Sequence, residues 1–528
     1  MRRALTIAVL VLLAARGVSA QAFASDDPVL RRMWQLGMDS SQTYSLAQAL
    51  LDSVGPRLTG TPGQRAANEW IIGKYRQWGI NARAEQYGTW MGWRRGITHV
   101  DLIQPRVRSL EAIMLAWSPG TPRGAPVEAQ VAVLPDVRST AQFDAWLPQV
   151  RGKFVMVSFA QPTCRPTDNW REFAPDTATV NEMLRDRATA QRAWGERVRL
   201  ATGDSTLGLA NRNLHAKLAA AGARGLFTHL WSNGWGVDKI FNARPGQSIP
   251  SIDLSCEDYG LVFRLAENGQ SPVVRVQADA QFLGEVPVFN VIGEIRGSEK
   301  PNEYVMLSAH FDSWDGGSGA TDNGTGTITM LEAMRILKLA YPNPKRTILV
   351  GHWSGEEQGL IGSRAWAADH PEVVQGMQAL FNQDNGTGRV VNISASGLID
   401  ATGSLASWLS RVPRDITRHV NFGFVGGPSG GGSDNASFIC YGAPAFSLGS
   451  ISWDYGTYTW HTNRDTFDKV VFSELRNNAT LTAMLAYLAS EDSETVSRTR
   501  ANVFNFRGQP GQWPACQVPP RKSSDWQR

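Results

Sequence analysis

The strongest constraint on the fold is a repeated order of strand, loop and helix that begins at Pro287. Apolar runs of strand length alternate there with segments of helical spacing. The predicted strands are residues 288–295, 304–309, 347–351, 377–381 and 444–448, and the predicted helices are residues 328–340 and 360–368. This alternation predicts an α/β fold, with a mostly parallel or mixed sheet sandwiched by helices. Functional side chains in such sheets gather at the carboxyl ends of the strands.

The chain is long enough for more than one domain. It has 528 residues, whereas a single core stops growing at roughly 250–300 residues. Between about residues 120 and 282 the pattern changes to short β-like runs and one Ala-rich helix, and residues 162–206 show no clear periodicity. We predict a discontinuous catalytic domain at residues 21–120 and 283–492, a smaller β-rich domain inserted at residues 121–282, and a C-terminal extension at residues 493–528.

The first 20 residues predict a signal peptide. Arg2 and Arg3 precede a short apolar run, and small residues at 18–20 suit cleavage before Gln21. The run is shorter than the roughly 20 residues that span a bilayer, although an uncleaved anchor is the alternative. We therefore expect a secreted or periplasmic protein. The four cysteines show no CxxC spacing, and the sequence leaves open whether they form one or two disulfides or remain free thiols.

Charge argues against polyanionic partners. The formal net charge is only +4, and Lys and Arg form no dense run. Neither nucleic acid nor an anionic membrane surface is therefore expected as a partner. The sequence leaves the oligomeric state open, a homodimer included.

Two motifs near residue 310 carry residue types that bind metals. His310 follows a predicted strand, and Asp312 could orient its imidazole from behind. Asp322 lies in the glycine-rich segment 319–326, directly before a helix, where its two oxygens could bridge two cations. Taken singly, a His-x-Asp triplet is more often an ordinary pair, and an Asp before a helix is more often an N-cap.

Four later residues extend the set. Glu356 and Glu357 follow a predicted strand, Asp384 follows another, and His461 lies in a loop. A dinuclear site gives both glutamates a role, because Glu357 can bind metal while Glu356 takes a proton from a metal-bridging water. Two imidazoles with several carboxylates suit zinc, with cobalt or manganese as alternatives. The sequence also lacks HExxH, which excludes the pattern of a single-zinc peptidase with its ligands on one helix.

These motifs together resemble the co-catalytic two-zinc aminopeptidase and carboxypeptidase family, which includes glutamate carboxypeptidase and carboxypeptidase Q. The residues that carry the resemblance are His310-Phe311-Asp312, residues 319–324, Glu356-Glu357, Asp384 and His461. The resemblance implies a zinc-exopeptidase-like fold and two Zn²⁺ per chain. Asp322 would bridge the ions, His310 and Asp384 would bind one, and Glu357 and His461 the other.

The resemblance implies two further features, and the sequence departs from the family pattern at one position. The peptide bond after the bridging residue, Asp322-Asn323, would be cis. The inserted domain is similar to a protease-associated domain. Asn435 departs from the family pattern, which often has His after the Asp at this place, and this puts contacts around the metals or the substrate in doubt.

The sequence therefore predicts a secreted dinuclear zinc exopeptidase that acts on peptides or dipeptides at a free terminus. Glu356 serves as general base and Asp312 belongs to the catalytic set. Aminopeptidase or dipeptidase activity is favoured, and carboxypeptidase activity is the alternative. A non-enzymatic receptor on the same fold would have lost ligands, and acyl transfer such as glutaminyl cyclisation would use one metal.

Overall fold

The structure is a computed structural model that describes residues 25–204, 206, 211–243, 246–421, 425–504 and 508–526. The predicted signal peptide, residues 1–20, lies outside these described residues. Across the described chain a mixed 13-stranded sheet is flanked by helices. The predicted α/β class is therefore confirmed.

The elements have the following bounds. The strands of the described residues are β1 (Asn81–Gln104), β2 (Arg108–Leu110), β3 (Ala112–Met114), β4 (Val127–Val133), β5 (Phe154–Met156), β6 (Gly225–Thr228), β7 (Ser251–Leu254), β8 (Val273–Ile295), β9 (Lys300–His310), β10 (Arg346–Trp353), β11 (Met377–Gln383), β12 (Val390–Ser394) and β13 (Ala445–Ser450). The α-helices of the same residues are α1 (Pro28–Trp34), α2 (Thr43–Gln48), α3 (Pro62–Gln77), α4 (Thr140–Trp146), α5 (Thr167–Phe173), α6 (Thr177–Thr202), α7 (Arg212–Ala220), α8 (Cys256–Glu267), α9 (Thr325–Ala340), α10 (Ile361–Asp369), α11 (Pro371–Gln375), α12 (Ala401–Arg411), α13 (Arg414–Thr417), α14 (Ala436–Ile439), α15 (Phe472–Glu491) and α16 (Ser523–Trp526).

Four parallel strands form the part of the sheet that matters for function. Their order is β13-β11-β9-β10, and the antiparallel strands β12 and β8 lie on either side. Every residue of β10 and β11 is buried, as expected of strands covered by helices on both faces. Because the four strands are parallel, their carboxyl ends meet at one edge of the sheet.

Helices α9 and α15 pack against each other and against this sheet. Residues 325–337 of α9 are all buried, because the helix carries apolar or small residues on nearly every face. Ile328, Leu331, Leu481 and Leu485 from the two helices join one hydrophobic core with residues of β9 and β11. This core holds α9 rigidly behind the turn at residues 320–324, which precedes it.

A long antiparallel ribbon connects the larger part of the sheet to the predicted insert. Strands β1 and β8 pair from Asn81 with Glu294 to Gln104 with Val273. Strand β8 pairs with β10 at one end and β4 at the other, so the sheet continues past the predicted limit between residues 282 and 283. Strands β4 to β7 then follow in parallel, and β3 pairs antiparallel with β7 although it precedes residue 121. The domain limits remain a prediction.

The insert contains more helix than the sequence pattern indicated. Residues 162–206 include α5 and the 26-residue α6. Helix α6 buries only a few residues, most of them near its C-terminal end: Val180, Trp194, Val198, Ala201 and Thr202. So sparse an apolar face gives little helical periodicity, which explains why the sequence did not predict the helix.

All four cysteines are paired, in disulfides Cys164–Cys256 and Cys440–Cys516. The first joins the segment before α5 to the start of α8, and the second holds the C-terminal extension beside α14. Such bonds persist in oxidising compartments. Among the described helices, none combines the length and the apolar character that crossing a membrane requires.

Candidate metal centre

The predicted ligand side chains lie at the carboxyl edge of the parallel strands. His310 is the last residue of β9, and Asp384 directly follows β11. Glu357 lies in the loop after β10, and His461 in the loop after β13. Asp322 reaches the same place from the turn before α9, and its peptide bond to Asn323 is cis, as the resemblance implied.

Left-handed backbone at three positions turns these loops toward the site. Gly319 has φ 58° and precedes the turn of Asp322, and Gly355 has φ 72° and precedes the glutamate pair. His461 itself has φ 57°. Residues other than glycine seldom adopt this conformation, and it costs about 1–3 kcal/mol. The surrounding loop therefore has to hold His461 firmly.

The ligand-type atoms form two groups that share Asp322. In the His310 group, His310 Nε2 lies 3.2 Å from Asp384 Oδ1 and 3.3 Å from Asp322 Oδ1. In the His461 group, His461 Nε2 lies 2.9 Å from Glu357 Oε2 and 3.3 Å from Asp322 Oδ2. Within each group the ligand atoms lie within 4.8 Å of one another. The two oxygens of Asp322 thus face different imidazoles, which is the geometry a bridging carboxylate needs.

The groups fit divalent cations. Asp322 Oδ2 and Glu357 Oε1 are buried and accept no hydrogen bond from the described residues. An unpartnered buried carboxylate oxygen is costly, and a cation bound there would remove that cost. Imidazole nitrogens combined with carboxylate oxygens are a donor set that zinc accepts.

Burial and neighbouring charges together shift the pKa values of the side chains in the site. Burial raises the pKa of Glu356 well above its ordinary value, and repulsion from Asp384 adds to this while His310 opposes it. Burial lowers the pKa of His461, but the Glu357 and Asp322 carboxylates together outweigh burial and raise it overall. Negative charge is therefore concentrated in a buried place, where divalent cations would compensate it.

Glu356 lies beside the two groups and, among the described residues, belongs to neither. Its backbone N–H donates to Asp312 Oδ1 at 3.2 Å, and the Glu357 N–H donates to Asp312 Oδ2 at 3.3 Å. The Thr59 hydroxyl donates to the same carboxylate at 3.3 Å. Asp312 therefore positions the glutamate pair.

The contact between Asp312 and His310 differs from the one predicted. His310 Nδ1 lies 3.0 Å from the backbone carbonyl oxygen of Asp312, but 3.7 Å from its Oδ1. The main-chain oxygen therefore orients the imidazole, while the carboxylate is engaged by the amides of the glutamate loop. A sequence pattern cannot show whether the carbonyl oxygen or the carboxylate of Asp312 contacts His310.

Asp465 is a positioning residue that sequence analysis missed. Its carboxylate accepts hydrogen bonds from the Thr321 N–H at 2.7 Å, the Thr321 hydroxyl at 2.8 Å and the Asp322 N–H at 3.0 Å. It thereby fixes the turn from which Asp322 reaches both groups. The one feature of the sequence that could have pointed to Asp465 is its position shortly after His461. An acidic residue in a loop does not by itself indicate a positioning role.

Replacing Asp465 with asparagine is expected to weaken zinc binding by roughly 10- to 100-fold. The asparagine amide would place a donor against the N–H of Thr321 or Asp322, so the bridging carboxylate would lose its fixed orientation. The measurement is a zinc titration against a competing chelator. The matched control is Asp468→Asn, whose side chain is 73% exposed. An unchanged zinc affinity in Asp465→Asn would contradict the positioning role.

Arg57, in the turn-rich segment before α3, also organises the site and was not predicted to do so. The side chain is fully buried. Its guanidinium donates to the carbonyl oxygens of Gly55, Phe311, Ser318 and Gly319 at 2.8–2.9 Å. Burial lowers the pKa of Arg57 to about 10. The loop between His310 and Asp322 is thus held by one buried cation.

Two other residues near the site take structural roles. His352, on β10, is buried, and its Nε2 lies 2.6 Å from the Tyr75 hydroxyl. Asn435 is buried, and its amide donates to the Ser396 hydroxyl at 3.4 Å. This contact does not include the two ligand groups.

Comparisons with known proteins agree with the geometry. Residues 290–486 match the sequence model of Peptidase family M28. The chain is 26% identical over 466 residues to carboxypeptidase Q of Mus musculus, covering 88% of each chain. The Peptidase M28 precursor from Shewanella amazonensis SB2B superposes with a TM-score of 0.63 at 23% identity, covering 89% of this chain and 97% of that one. A zinc aminopeptidase from Bacillus subtilis superposes with a TM-score of 0.52 at 16% identity, covering 87% and 96%.

The structural likenesses concern the fold, since both identities are low. The sequence matches agree with the family resemblance of the motifs over residues 290–486, and the structural likenesses confirm the predicted α/β architecture.

Proposed function

We propose that this metallo-exopeptidase, whose residues 290–486 match Peptidase family M28, holds two zinc ions in the candidate centre. His310 and Asp384 would bind one ion, and Glu357 and His461 the other, with Asp322 shared. The observation that carries this proposal is that the two Asp322 oxygens each lie 3.3 Å from a different imidazole. The choice of zinc is supported by the donor set and by the structural neighbour described as a zinc aminopeptidase.

When bound, the two ions would polarise the scissile carbonyl and make the attacking water more acidic. Glu356 accepts the proton of that water as the new C–O bond forms. It then delivers the proton to the departing amine as the C–N bond breaks. Asp312 holds the backbone of Glu356, and Asp465 holds the turn of Asp322, so both carboxylates are oriented before substrate arrives.

The substrate is a peptide or dipeptide with a free terminus. Aminopeptidase or dipeptidase activity is favoured, and carboxypeptidase activity is the alternative, which the match to carboxypeptidase Q supports. An aminopeptidase needs acceptors for the substrate ammonium, whereas a carboxypeptidase needs a cation for the carboxylate. The two disulfides favour export to an oxidising compartment.

The test is hydrolysis of a peptide panel before and after removal of metal. The panel contains one dipeptide, its N-acetyl form, its C-terminal amide and a longer peptide blocked at both ends. We expect hydrolysis of the free dipeptide, loss of that activity with a chelator, and recovery when zinc is added back. The doubly blocked peptide should remain intact. Cleavage of that peptide would contradict exopeptidase activity, and chelator-resistant hydrolysis would contradict the metal centre.

A further inference from the structure

A segment of the predicted insert, residues 236–241, lies against the loop that carries His461. The Ile240 N–H donates to the His461 carbonyl at 2.7 Å, and the Phe241 ring centre lies 4.9 Å from the imidazole centre. The Asn463 N–H donates to the Asp238 carbonyl at 3.0 Å, and the Asp238 N–H donates to Asn463 Oδ1 at 3.0 Å. These bonds place the residue between Asp238 and Ile240 next to the His461 group.

That residue is Lys239, whose side chain is largely buried and whose ammonium lies over the ring next to His461. The residue is 8% exposed, and its Nζ lies 4.4 Å from the centre of the Trp460 ring. The same ring stacks on the His461 imidazole, with 3.9 Å between the ring centres. Burial lowers the pKa of Lys239 to about 8, and the nearby Asp322 carboxylate opposes that shift.

Within the described part of the chain, the ammonium of Lys239 has no ion-pair partner. The interactions observed are its contact with Trp460 and the electrostatic attraction of the nearby Asp322 carboxylate. Burial of a cation is unfavourable, and a cation–π contact offsets only part of that cost. A substrate carboxylate would therefore meet a cation that is not already paired.

Other cations near the site are already engaged. The guanidinium of Arg57 is bound to four carbonyl oxygens. Arg364, which acts electrostatically on Glu356, donates to the carbonyl oxygens of Gly359 and Gly430. The guanidinium of Arg57 is therefore not available to a substrate anion, and that of Arg364 is directed in part toward main-chain oxygens.

We infer that Lys239 binds the free carboxylate of the substrate, so that this enzyme selects peptides whose last residue directly follows the scissile bond. In such a peptide the carboxylate carbon is three bonds from the scissile carbonyl carbon, and one extended residue spans about 3.5 Å. The cation that binds it must therefore lie very close to the metals. Lys239 lies in this region, because its ammonium contacts the ring that stacks on His461 and interacts electrostatically with Asp322.

This inference rests on the proposed function and gives it a direction. An ammonium and a carboxylate form strong charge-assisted hydrogen bonds in a site with little water. A substrate with an amidated C-terminus offers no charge to Lys239. The expected substrate class is accordingly a dipeptide or a short peptide with an unblocked C-terminus.

Two variants at position 239 test the inference. Lys239→Met keeps a long side chain on Trp460 but removes the charge, and Lys239→Arg keeps the charge. The measurement is kcat/KM for a dipeptide and for its C-terminal amide. We expect the wild type to prefer the acid, and the ratio of acid to amide to fall by roughly 10- to 100-fold in Lys239→Met. Lys239→Arg should recover part of that ratio.

A binding measurement separates recognition from turnover. In a Glu356→Gln background, which blocks proton transfer, the affinity for the dipeptide acid should fall on adding Lys239→Met by a similar factor. The matched control is Lys217→Met, another lysine of the insert, which pairs with Asp144 at 2.6 Å and lies 5.8 Å from the Phe143 ring centre. Its acid-to-amide ratio should equal that of the wild type.

One result would overturn the inference while leaving the proposed function intact. It is an unchanged acid-to-amide ratio in Lys239→Met, whether both activities stay at the wild-type value or fall by the same factor. A wild type that hydrolyses neither compound would instead contradict the proposed function, and this inference with it.

Discussion

Replacing Glu356 with glutamine is expected to lower kcat by roughly 10²- to 10⁴-fold while the zinc content stays at the wild-type value. Glutamine has nearly the same shape but cannot accept the proton of the attacking water. Glu356 lies outside both ligand groups of the described chain, so its loss removes no metal ligand. The backbone N–H of residue 356 still donates to Asp312, so the loop should keep its position.

The measurement pairs steady-state kinetics on the free dipeptide with elemental analysis of the same preparation. The control is Glu372→Gln, whose side chain is 68% exposed. Loss of zinc in Glu356→Gln would place Glu356 among the ligands, and a kcat within a factor of a few of the wild type would exclude it as the base.

Replacing Asp322 with asparagine is expected to remove both zinc ions and to lower activity by at least roughly 10³-fold. Both oxygens of Asp322 face an imidazole, and an amide offers one neutral oxygen that cannot bridge two cations. Loss of a single electrostatic contact to the transition state already costs about 10²- to 10³-fold. The loss of both ions should therefore cost more.

Asp384→Asn is the variant whose loss of zinc is compared with that of Asp322→Asn. Asp384 belongs only to the His310 group, so its replacement should spare the zinc of the His461 group. The surface control is Asp168→Asn, with a side chain 64% exposed. If Asp322→Asn lost the same share of zinc as Asp384→Asn, Asp322 would not be shared between two ions.

Several parts of this arrangement could be predicted from sequence because their cause is local. His310 and Asp384 stand where buried apolar runs end, and parallel strands bring such positions to one edge. Asp322 lies among glycines that permit a tight turn. The helix α9 and the strands β10 and β11 follow strongly apolar segments, and their predicted positions agree with the structure to within a few residues.

The remaining parts depend on contacts between residues far apart in the chain. Asp465 acts on Thr321 and Asp322 across more than 140 residues, and Arg57 acts on carbonyl oxygens some 250–260 residues away. Lys239 reaches the site because the insert folds back on the His461 loop. The spacing of residues in the sequence does not predict such contacts, and it does not predict the pairing of the cysteines.

The ribbon β1–β8 also depends on contacts between residues far apart in the chain. Its two strands are separated by residues 105–272, which include most of the predicted insert, yet they pair along nearly their full length. This pairing carries the insert to the side of the His461 loop, where Lys239 lies. A division into two domains at residue 282 does not describe that continuity.

The most direct test of the account is the number of zinc ions per chain in the wild-type protein, measured by elemental analysis after dialysis against metal-free buffer. The shared carboxylate predicts about two zinc ions per chain, with activity that rises as zinc is restored to the chelated protein. A protein that binds one ion or none while remaining fully active would contradict the dinuclear centre.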